Sequence, residues 1–414
     1  MAQKLNITKS YQALVWLLAI YAFLPFFINF PYIFVTILLI FLSYIYKKAY
    51  IYHNFISKAF TFDKCIVLTY LFWQLLVVIR GVFFNFDSFQ TFINIIFLNQ
   101  FSLFAFLLPF IVFWNPLHFN YKFLMKLLHI LGVCSVLLVL FNFKSLFIVD
   151  YSTLSSDELI SYGTLVNIQS PIIEIISTTA FAMFIPLFQS KKWWLFHFCI
   201  GFVALLISLY AARRGASAIW LLLIINALFL KIKSKRGLHL HYYLAIIIFF
   251  LSLFFYVYNN LDTTFSLLGE RGGTDSRSLV ESYFWNDLTS SLDLIVGRGL
   301  NGSYYCPMSE NGNWLYYRTS IETGYCHIIL TGGLISLILY VIIMLRSAYL
   351  GFFRSNNMFA KAFSIYILSY LFYLIPFGIP AFSMTYLICW LGVSMCHSLE
   401  FRKLSNYEVK QIYF

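Results

Sequence analysis

Two adjacent arginines, Arg213 and Arg214, interrupt an apolar stretch of the sequence, LLISLYAARRGASAIWLLLI at residues 205–224. A charged side chain within a bilayer costs several kcal/mol unless a partner compensates it, so such residues usually mark a functional site. Arginine is also the residue preferred where a planar, permanently charged group must grip a phosphate or a carboxylate. The pair therefore indicates an anion-binding site, and the next question is which elements position it.

Long apolar runs surround this pair and recur along the whole chain. Of the 414 residues, 61% are hydrophobic and 11% are charged, with a mean hydropathy of +0.81, whereas a soluble domain carries about 25% charged residues. We therefore predict an all-α polytopic membrane protein, a single membrane domain over residues 1–414 with about 12 transmembrane helices. The predicted spans are residues 12–29, 31–46, 64–79, 91–114, 122–141, 171–189, 193–212, 215–230, 240–258, 321–345, 362–375 and 380–397.

Charge differs sharply between the alternate loops of this topology. One set of loops contains 19 of the 28 basic residues, which predicts that this side is cytoplasmic and that both termini lie there. The other set contains eight basic residues: Arg80, Lys144, Arg213, Arg214, Arg271, Arg277, Arg298 and Arg318. Seven of these eight are arginines, so the outer face has gained anion-binding side chains against the topological bias. The net charge of +12 does not indicate a nucleic-acid partner, because the basic residues are dispersed in short loops.

The long loop at residues 259–320 is the most elaborate part of this outer face, and a smaller outer loop covers residues 142–170. Loops of such length are usually functional or disordered, and the long loop is too rich in aromatic residues to be disordered. Residues 276–296 have apolar side chains at helical spacing, which predicts an amphipathic helix on the membrane surface or on the bundle. Its apolar stripe is Val280, Phe284, Leu288, Leu292 and Ile295.

Both ends of this predicted helix carry signals in the sequence. Ser278 with Glu281 fits a capping box, and Asp275 or Ser276 is an alternative cap. The helix is expected to end at GRGLNG, residues 297–302, where three glycines permit a tight backbone path near a ligand.

Each arginine of interest also has a purely structural explanation. Arg271 and Arg318 are either anion ligands or surface charges paired with nearby acids, and Arg80 either binds a ligand or flanks its span. Arg277 and Arg298 favour function, because one begins a helix and the other lies between glycines.

Other reactive side chains give weaker signals. His327 is near the outer face, but a lone histidine in a span is more often a packed core residue than a base. Cys306 and Cys326 lie in or near the long loop, where a disulfide and two free thiols are both open alternatives. We expect no bound metal, because the sequence has no metal-ligand spacing, and it also lacks phosphate-loop and hydrolase motifs.

Three features follow one another between about residues 205 and 340. They are SLYAARRGASAIW, the long loop with its arginine-headed helix and GRGLNG turn, and ETGYCHIILTGGLISLIL. This series resembles the O-antigen polymerase (Wzy) and O-antigen ligase superfamily. The resemblance implies a GT-C-like fold and a metal-independent glycosyltransferase without a cofactor. Such an enzyme moves a glycan from undecaprenyl diphosphate to an acceptor sugar hydroxyl at the periplasmic face.

The resemblance also implies roles for individual residues. Arg214 occupies the position of the family's signature arginine, with Arg213 beside it, and Arg277 occupies that of the loop arginine. Ligases begin the last motif with a His-Asn pair, eleven residues before a glycine. Counting back from Gly333 reaches Glu322 instead, so the polymerase branch is favoured over the ligase.

In this interpretation, Glu322 either accepts the proton of the acceptor hydroxyl or forms a salt bridge with an arginine. The expected catalytic residues are Glu322, Arg277 and Arg214, and the expected diphosphate- or glycan-binding residues are Arg213, Arg298, Arg271, Arg318 and Arg80. The implied partners are the lipid-linked oligosaccharide, membrane lipid and a chain-length regulator protein. The implied location is the bacterial inner membrane. A lipid-linked oligosaccharide flippase is the competing function, and charges concentrated at one face favour the enzyme.

Overall fold

The computed structural model describes residues 62–85, 103–113, 119–143, 175–210, 213–234, 276–289, 292–310 and 313–414, together with a few isolated positions. Its helices include α1 (Phe62–Phe84), α2 (Leu103–Leu107), α3 (Tyr121–Phe141), α4 (Lys191–Tyr210), α5 (Arg214–Lys233), α6 (Ser276–Leu288), α7 (Asp293–Val296), α8 (Gly324–Phe353), α9 (Met358–Tyr373), α10 (Met384–His397), α11 (Leu399–Lys403) and α12 (Asn406–Tyr413). Short 3-10 helices cover Leu108–Phe113 and Ala180–Phe184, and a hairpin joins β1 (Tyr304–Glu310) to β2 (Asn313–Arg318).

The apolar helices confirm that this is a polytopic helical membrane protein. Five of them, α1, α3, α4, α5 and α8, are long and apolar enough to cross a membrane, and each coincides with a predicted span. Shorter apolar helices at Leu103–Val112, Ile175–Phe184, Met358–Tyr373 and Met384–His397 coincide with four more. The predicted spans at residues 12–29, 31–46 and 240–258 lie outside the described residues, apart from isolated positions, so the count of twelve stays a prediction.

The chain divides into two compact units. The first comprises Met1–Leu124 and Ser276–Phe414, and the second comprises Met125–Asp275. In the second unit, α4 and α5 pack against each other. His129 on α3 and His197 on α4 form a partly buried hydrogen bond, with 2.8 Å between Nδ1 and Nε2.

Helix α8 is the centre of the first unit and packs against α1, α9 and α10. Aromatic rings fill the space between these helices, and the Tyr70 ring of α1 stacks on the Trp390 ring of α10 with 5.6 Å between centroids. At Gly333 the backbone leaves helical geometry, with a φ of 72° and a ψ of −178°. Only glycine adopts this conformation readily, so a single residue interrupts the helical hydrogen-bond ladder inside an apolar helix.

The carbonyls next to this break are all hydrogen-bonded. The Arg298 and Gly299 backbone N–H groups donate to the carbonyls of Leu330 and Thr331, at 2.7 and 2.8 Å. The Trp73 indole donates to the Gly332 carbonyl at 2.8 Å. A broken helix is tolerated in a membrane when neighbouring groups satisfy its freed polar atoms. The GRG segment of the long loop therefore supplies hydrogen-bond donors to carbonyls that the break in α8 leaves free.

The single helix predicted over residues 276–296 is wrong, because the structure has two helices there. α6 ends at Leu288, and α7 covers only Asp293–Val296. Phe284 and Leu288 are fully buried as the stripe predicts, but Leu292 and Ile295 are 78% and 48% exposed. The helix rests on the bundle, since Phe284 and Leu288 join a core cluster with residues of the hairpin and of α8.

Two smaller predictions for this loop are also settled. α6 begins at Ser276, so Ser278 lies inside the helix and the capping box with Glu281 is wrong. Cys306 and Cys326 are both free thiols, fully buried in the same core cluster as Phe284. The hairpin that contains Cys306 was not predicted.

Candidate functional site

An ion pair joins Arg277 and Glu322, two of the three residues predicted to be catalytic. Arg277 lies in the first turn of α6, and Glu322 lies immediately before α8, whose N-cap is Thr323. The Arg277 Nε atom is 3.0 Å from the Glu322 Oε2 atom. The side chains are 47% and 67% exposed, so a ligand can reach both groups without displacing the core.

A second contact fixes the same face of α6 against the start of α8. Glu281 is four residues after Arg277, hence one helical turn along the same face. Its carboxylate accepts a hydrogen bond from the Thr323 hydroxyl. Sequence reasoning missed this contact, although the spacing between Arg277 and Glu281 was visible. The Arg277–Glu322 ion pair and the Thr323–Glu281 hydrogen bond therefore together hold α6 against the start of α8.

The segment between α9 and α10 supplies the third side of this arrangement. The Pro376 carbonyl accepts a hydrogen bond of 2.8 Å from the Arg277 Nη1 atom. Gly324 makes the approach possible, because a Cβ there would be 2.9 Å from the backbone of Gly378 and would collide with the Phe377 carbonyl. The Arg277 guanidinium is thus oriented by a backbone oxygen as well as by Glu322.

The beginning of α8 adds a favourable field for anions at this position. The positive end of a helix dipole, and backbone N–H groups without intrahelical partners, stabilise negative charge within the first turn. The Thr323 side chain does not cap these groups, because its hydroxyl is bonded to Glu281. Arg277 and the start of α8 thus each favour an anion near Glu322, while the Glu281 carboxylate adds a negative charge beside Thr323.

Arg298 lies among acids instead. Its Nε atom donates to Asp293 at 2.8 Å, and its Nη1 atom donates to Asp287 and, at 2.7 Å, to the Ser303 carbonyl. Burial alone lowers the pKa of Arg298, but the hydrogen bonds and charges of Asp287 and Asp293 outweigh it and raise that pKa. The side chain links α6, α7 and the start of the hairpin, so this geometry makes it a positioning residue.

Arg80 and Arg318 also have partners within the protein. Arg80 Nη2 donates to the Val296 carbonyl at 2.8 Å and to the Thr331 carbonyl at 3.3 Å, which ties α1 to α7 and to the break in α8. Arg318 is opposite Tyr304 in the hairpin register. Burial raises the pKa of Tyr304, and Arg318 acts in the opposite direction. Arg271 lies outside the described residues.

The arginine pair of the second unit lies at the start of one apolar helix, shortly after the preceding apolar helix ends at Tyr210. Arg213 is the N-cap of α5, and Arg214 is its first residue. The Arg213 N–H donates to the Ser208 carbonyl at 2.9 Å, and its carbonyl accepts from the Ser217 backbone N–H at 2.9 Å. The charges are thus at the ends of two spans and not in the middle of one.

A small polar pocket lies inside the first unit beside His327. His327 is 8% exposed, and its Nδ1 atom is buried with no hydrogen-bond partner in the part of the chain that the structure describes. Other polar residues that line the pocket are Tyr70, Gln74, Thr331, Ser336 and Tyr386. The Gln74 amide donates to the Ser336 hydroxyl at 2.8 Å. This buried setting fits the core interpretation of His327 better than a role as an exposed base.

No family model, no curated protein and no solved structure matches this chain. Within the described residues, no three His, Cys, Asp or Glu side chains are grouped to hold a metal ion. What the arrangement offers is an exposed arginine that can bind an anion, a helix start that favours the same anion, and an adjacent carboxylate that can accept a proton.

Proposed function

We propose that this protein is a polymerase of undecaprenyl-diphosphate-linked oligosaccharide repeat units, which builds an O-antigen or a related surface polysaccharide. The observation that carries the proposal is the contact between Arg277 and Glu322, at 3.0 Å. The resemblance in sequence gave these two residues complementary roles, one toward the lipid diphosphate and one toward the acceptor hydroxyl. Their contact supports the proposal by bringing both residues to one exposed position, and it is also the salt bridge that the sequence left open as the alternative role of Glu322.

In the proposed reaction, the diphosphate of the lipid donor takes the place of Glu322 beside Arg277. The acceptor hydroxyl oxygen attacks the anomeric carbon, and the bond between that carbon and the diphosphate oxygen breaks. The electron pair leaves with the diphosphate, whose charge Arg277 and the start of α8 stabilise. The proton of the hydroxyl passes to the carboxylate of Glu322, which acts as the general base.

Arg213 and Arg214 stay predicted diphosphate ligands on the resemblance alone, in which Arg214 matches the family's signature arginine. Arg298 and Arg80 are bonded to carboxylates and backbone carbonyls. We therefore assign them to holding the long loop against the spans. Arg271 and Arg318 remain predicted glycan- or diphosphate-binding residues.

The finer structural expectations belong to the same proposal. They are a GT-C-like fold with about 12 spans, location in the bacterial inner membrane, both termini in the cytoplasm and the long loop in the periplasm. The substrate partner is the lipid-linked oligosaccharide, and a chain-length regulator protein is the expected protein partner.

The test is complementation of a strain that lacks this gene, with surface polysaccharide separated by length. Glu322→Gln removes the base, and Arg277→Ala removes the anion ligand. Loss of a general base typically lowers a rate by about 10²–10⁴-fold, so both variants should give single repeat units or very short chains. Glu400→Gln and Lys410→Ala, changes at exposed residues of α11 and α12, are the matched controls and should give normal chains.

The pattern of failure also separates the related functions. Long lipid-linked chains that are never attached to an acceptor would mean a ligase, and repeat units trapped in the inner leaflet would mean a flippase. Normal chain lengths in both Arg277→Ala and Glu322→Gln cells, at normal protein levels, would overturn the proposed chemistry.

A further inference from the structure

Three arginines converge at the end of α8 that is farther from Glu322. Arg346 is in the last turns of α8, Arg354 is the residue that ends it, and Arg402 is on α11. Along α8, Arg346 and Arg354 lie 22 and 30 residues after Gly324, which is about 33 and 45 Å from the Arg277–Glu322 end at 1.5 Å per residue. The cluster is therefore independent of the proposed active site.

One carboxylate, that of Asp63, pairs with Arg346, and its charge also acts on Arg402. Arg346 binds the carboxylate in bidentate fashion, with Nε to Oδ1 at 2.8 Å and Nη2 to Oδ2 at 3.3 Å. Glu400 is a second carboxylate nearby in sequence. Three positive charges with at most two negative ones leave the cluster with an excess of positive charge.

Arg402 is the least exposed of the three arginines. Its Nη1 atom donates to the Arg354 carbonyl at 3.3 Å. Its Nε atom is buried and has no hydrogen-bond partner among the residues described. Burial is the largest cause that lowers the pKa of Arg402, and the charges of Arg346 and Arg354 lower it further, while Cys396 and Asp63 act in the opposite direction. An anion at this position would compensate the charge and supply acceptors.

The backbone around the cluster is fixed in advance of any ligand. The Asn356 N–H donates to the Arg402 carbonyl at 2.9 Å. The buried Asn357 amide donates to the Phe401 carbonyl at 2.9 Å and to the Leu404 carbonyl at 3.2 Å. A site held in this way loses little conformational freedom when it binds.

Exposed apolar side chains lie beside the arginines. Tyr349, Phe353 and Leu399 are 41%, 69% and 55% exposed, and the Arg346 guanidinium carbon is 5.8 Å from the centroid of the Tyr349 ring. Aromatic residues beside basic residues at the end of a span are typical of the headgroup level of a bilayer. Basic pockets between membrane helices bind anionic lipid headgroups.

We propose that Arg402 and Arg354, supported by Arg346, bind the phosphate of an anionic phospholipid headgroup, whose acyl chains lie against Tyr349 and Phe353. This site does not depend on the proposed polymerase activity, because it lies at the opposite end of α8.

The experiment uses the full-length protein in a neutral detergent and follows its melting temperature during titration with phosphatidylglycerol. Phosphatidylcholine and inorganic phosphate are titrated in parallel. We expect phosphatidylglycerol to stabilise the protein at lower concentration than either. Arg402→Gln and Arg354→Gln should each raise the half-maximal concentration about tenfold, because each loses a charge-assisted hydrogen bond. Lys410→Gln removes an exposed charge on α12 and should titrate like the parent protein.

Arg354→Gln keeps the backbone carbonyl that Arg402 contacts, so it tests the site even if Arg402→Gln folds poorly. Equal half-maximal concentrations for Arg354→Gln and the parent protein would overturn the site. Equal potency of phosphatidylcholine and phosphatidylglycerol would overturn recognition of the anionic headgroup. Inorganic phosphate as potent as phosphatidylglycerol would overturn the lipid assignment in favour of a soluble phosphate.

Discussion

Arg298 and Arg277 were both predicted to hold diphosphate, but the structure gives them different surroundings, and alanine variants should separate them. Arg298 is 21% exposed, and its carboxylate partners Asp287 and Asp293 are 26% and 38% exposed. Arg277 and Glu322 are 47% and 67% exposed. The stability effect of removing each arginine follows from this contrast.

Arg298→Ala removes two charge-assisted hydrogen bonds and one bond to the Ser303 carbonyl. Each bond to a charged group contributes about 1.5–3 kcal/mol, but bonds within one network are not additive. We therefore expect a loss of about 3 kcal/mol in the free energy of unfolding, since Asp287 and Asp293 would also be left facing each other. An exposed ion pair contributes about 0.2–1 kcal/mol, so Arg277→Ala should cost no more than about 1 kcal/mol.

Melting temperature in detergent, followed by tryptophan fluorescence, measures this difference. For domains of 150–250 residues, 1 kcal/mol corresponds to about 2–4 °C, so Arg298→Ala should melt several degrees below Arg277→Ala. Arg298→Lys should restore part of the difference, because it keeps the charge but not the planar fork. The positioning role is refuted if Arg298→Ala melts with the parent protein and is nevertheless inactive.

Three further predictions concern the contact between the long loop and the spans. Gly333→Ala should destabilise the protein by about 1–3 kcal/mol, because Gly333 has a φ of 72°; a melting temperature equal to that of Ile338→Ala, an exposed control on the same helix, would contradict this. Gly81→Ala should cost a similar amount by overpacking, since its Cβ would be 2.5 Å from the Leu300 Cβ; limited proteolysis should cut the long loop faster, and an unchanged rate would count against the contact. Trp73→Phe should cost about 1 kcal/mol, because it removes the donor to the Gly332 carbonyl; unchanged thermal unfolding would contradict it.

The helices of the membrane domain were predictable because long apolar runs leave few alternatives in a bilayer. The amphipathic stripe was correct as far as Leu288, where packing against the core selects a helical period. It was wrong beyond that residue. There the Thr289 backbone N–H and hydroxyl both donate to the Trp285 carbonyl, at 2.9 and 2.7 Å, and α7 begins as a separate helix at Asp293. Apolar periodicity alone does not show where such a helix ends.

The hairpin left a signal that was not used. Aromatic residues at Tyr304, Tyr305, Tyr316 and Tyr317 flank an Asn-Gly dipeptide at residues 311–312, and this dipeptide favours tight hairpin turns. Above, these residues are predicted only to belong to an aromatic-rich loop. Paired strand residues do not recur at helical spacing, so a search for that spacing does not find a hairpin.

The candidate site was predictable in its residue types but not in its pairing. The family resemblance pointed to Arg277 and Glu322 separately and left open whether Glu322 is a base or a salt-bridge partner. The contact depends on the Gly324 approach and on the Pro376 carbonyl, which are tertiary features. The partners of Arg298 depend on the break between α6 and α7, where the sequence predicts one helix.

The most direct test of the central claim is binding of undecaprenyl diphosphate to the purified full-length protein, compared with Arg277→Gln. We predict that Arg277→Gln weakens this binding at least tenfold, the effect of about 1.4 kcal/mol, while Lys410→Gln leaves it unchanged. Undecaprenyl monophosphate, which carries less charge, should bind more weakly and lose less in Arg277→Gln. Equal affinities of the parent protein and Arg277→Gln for the diphosphate would contradict the assignment of Arg277 as its ligand.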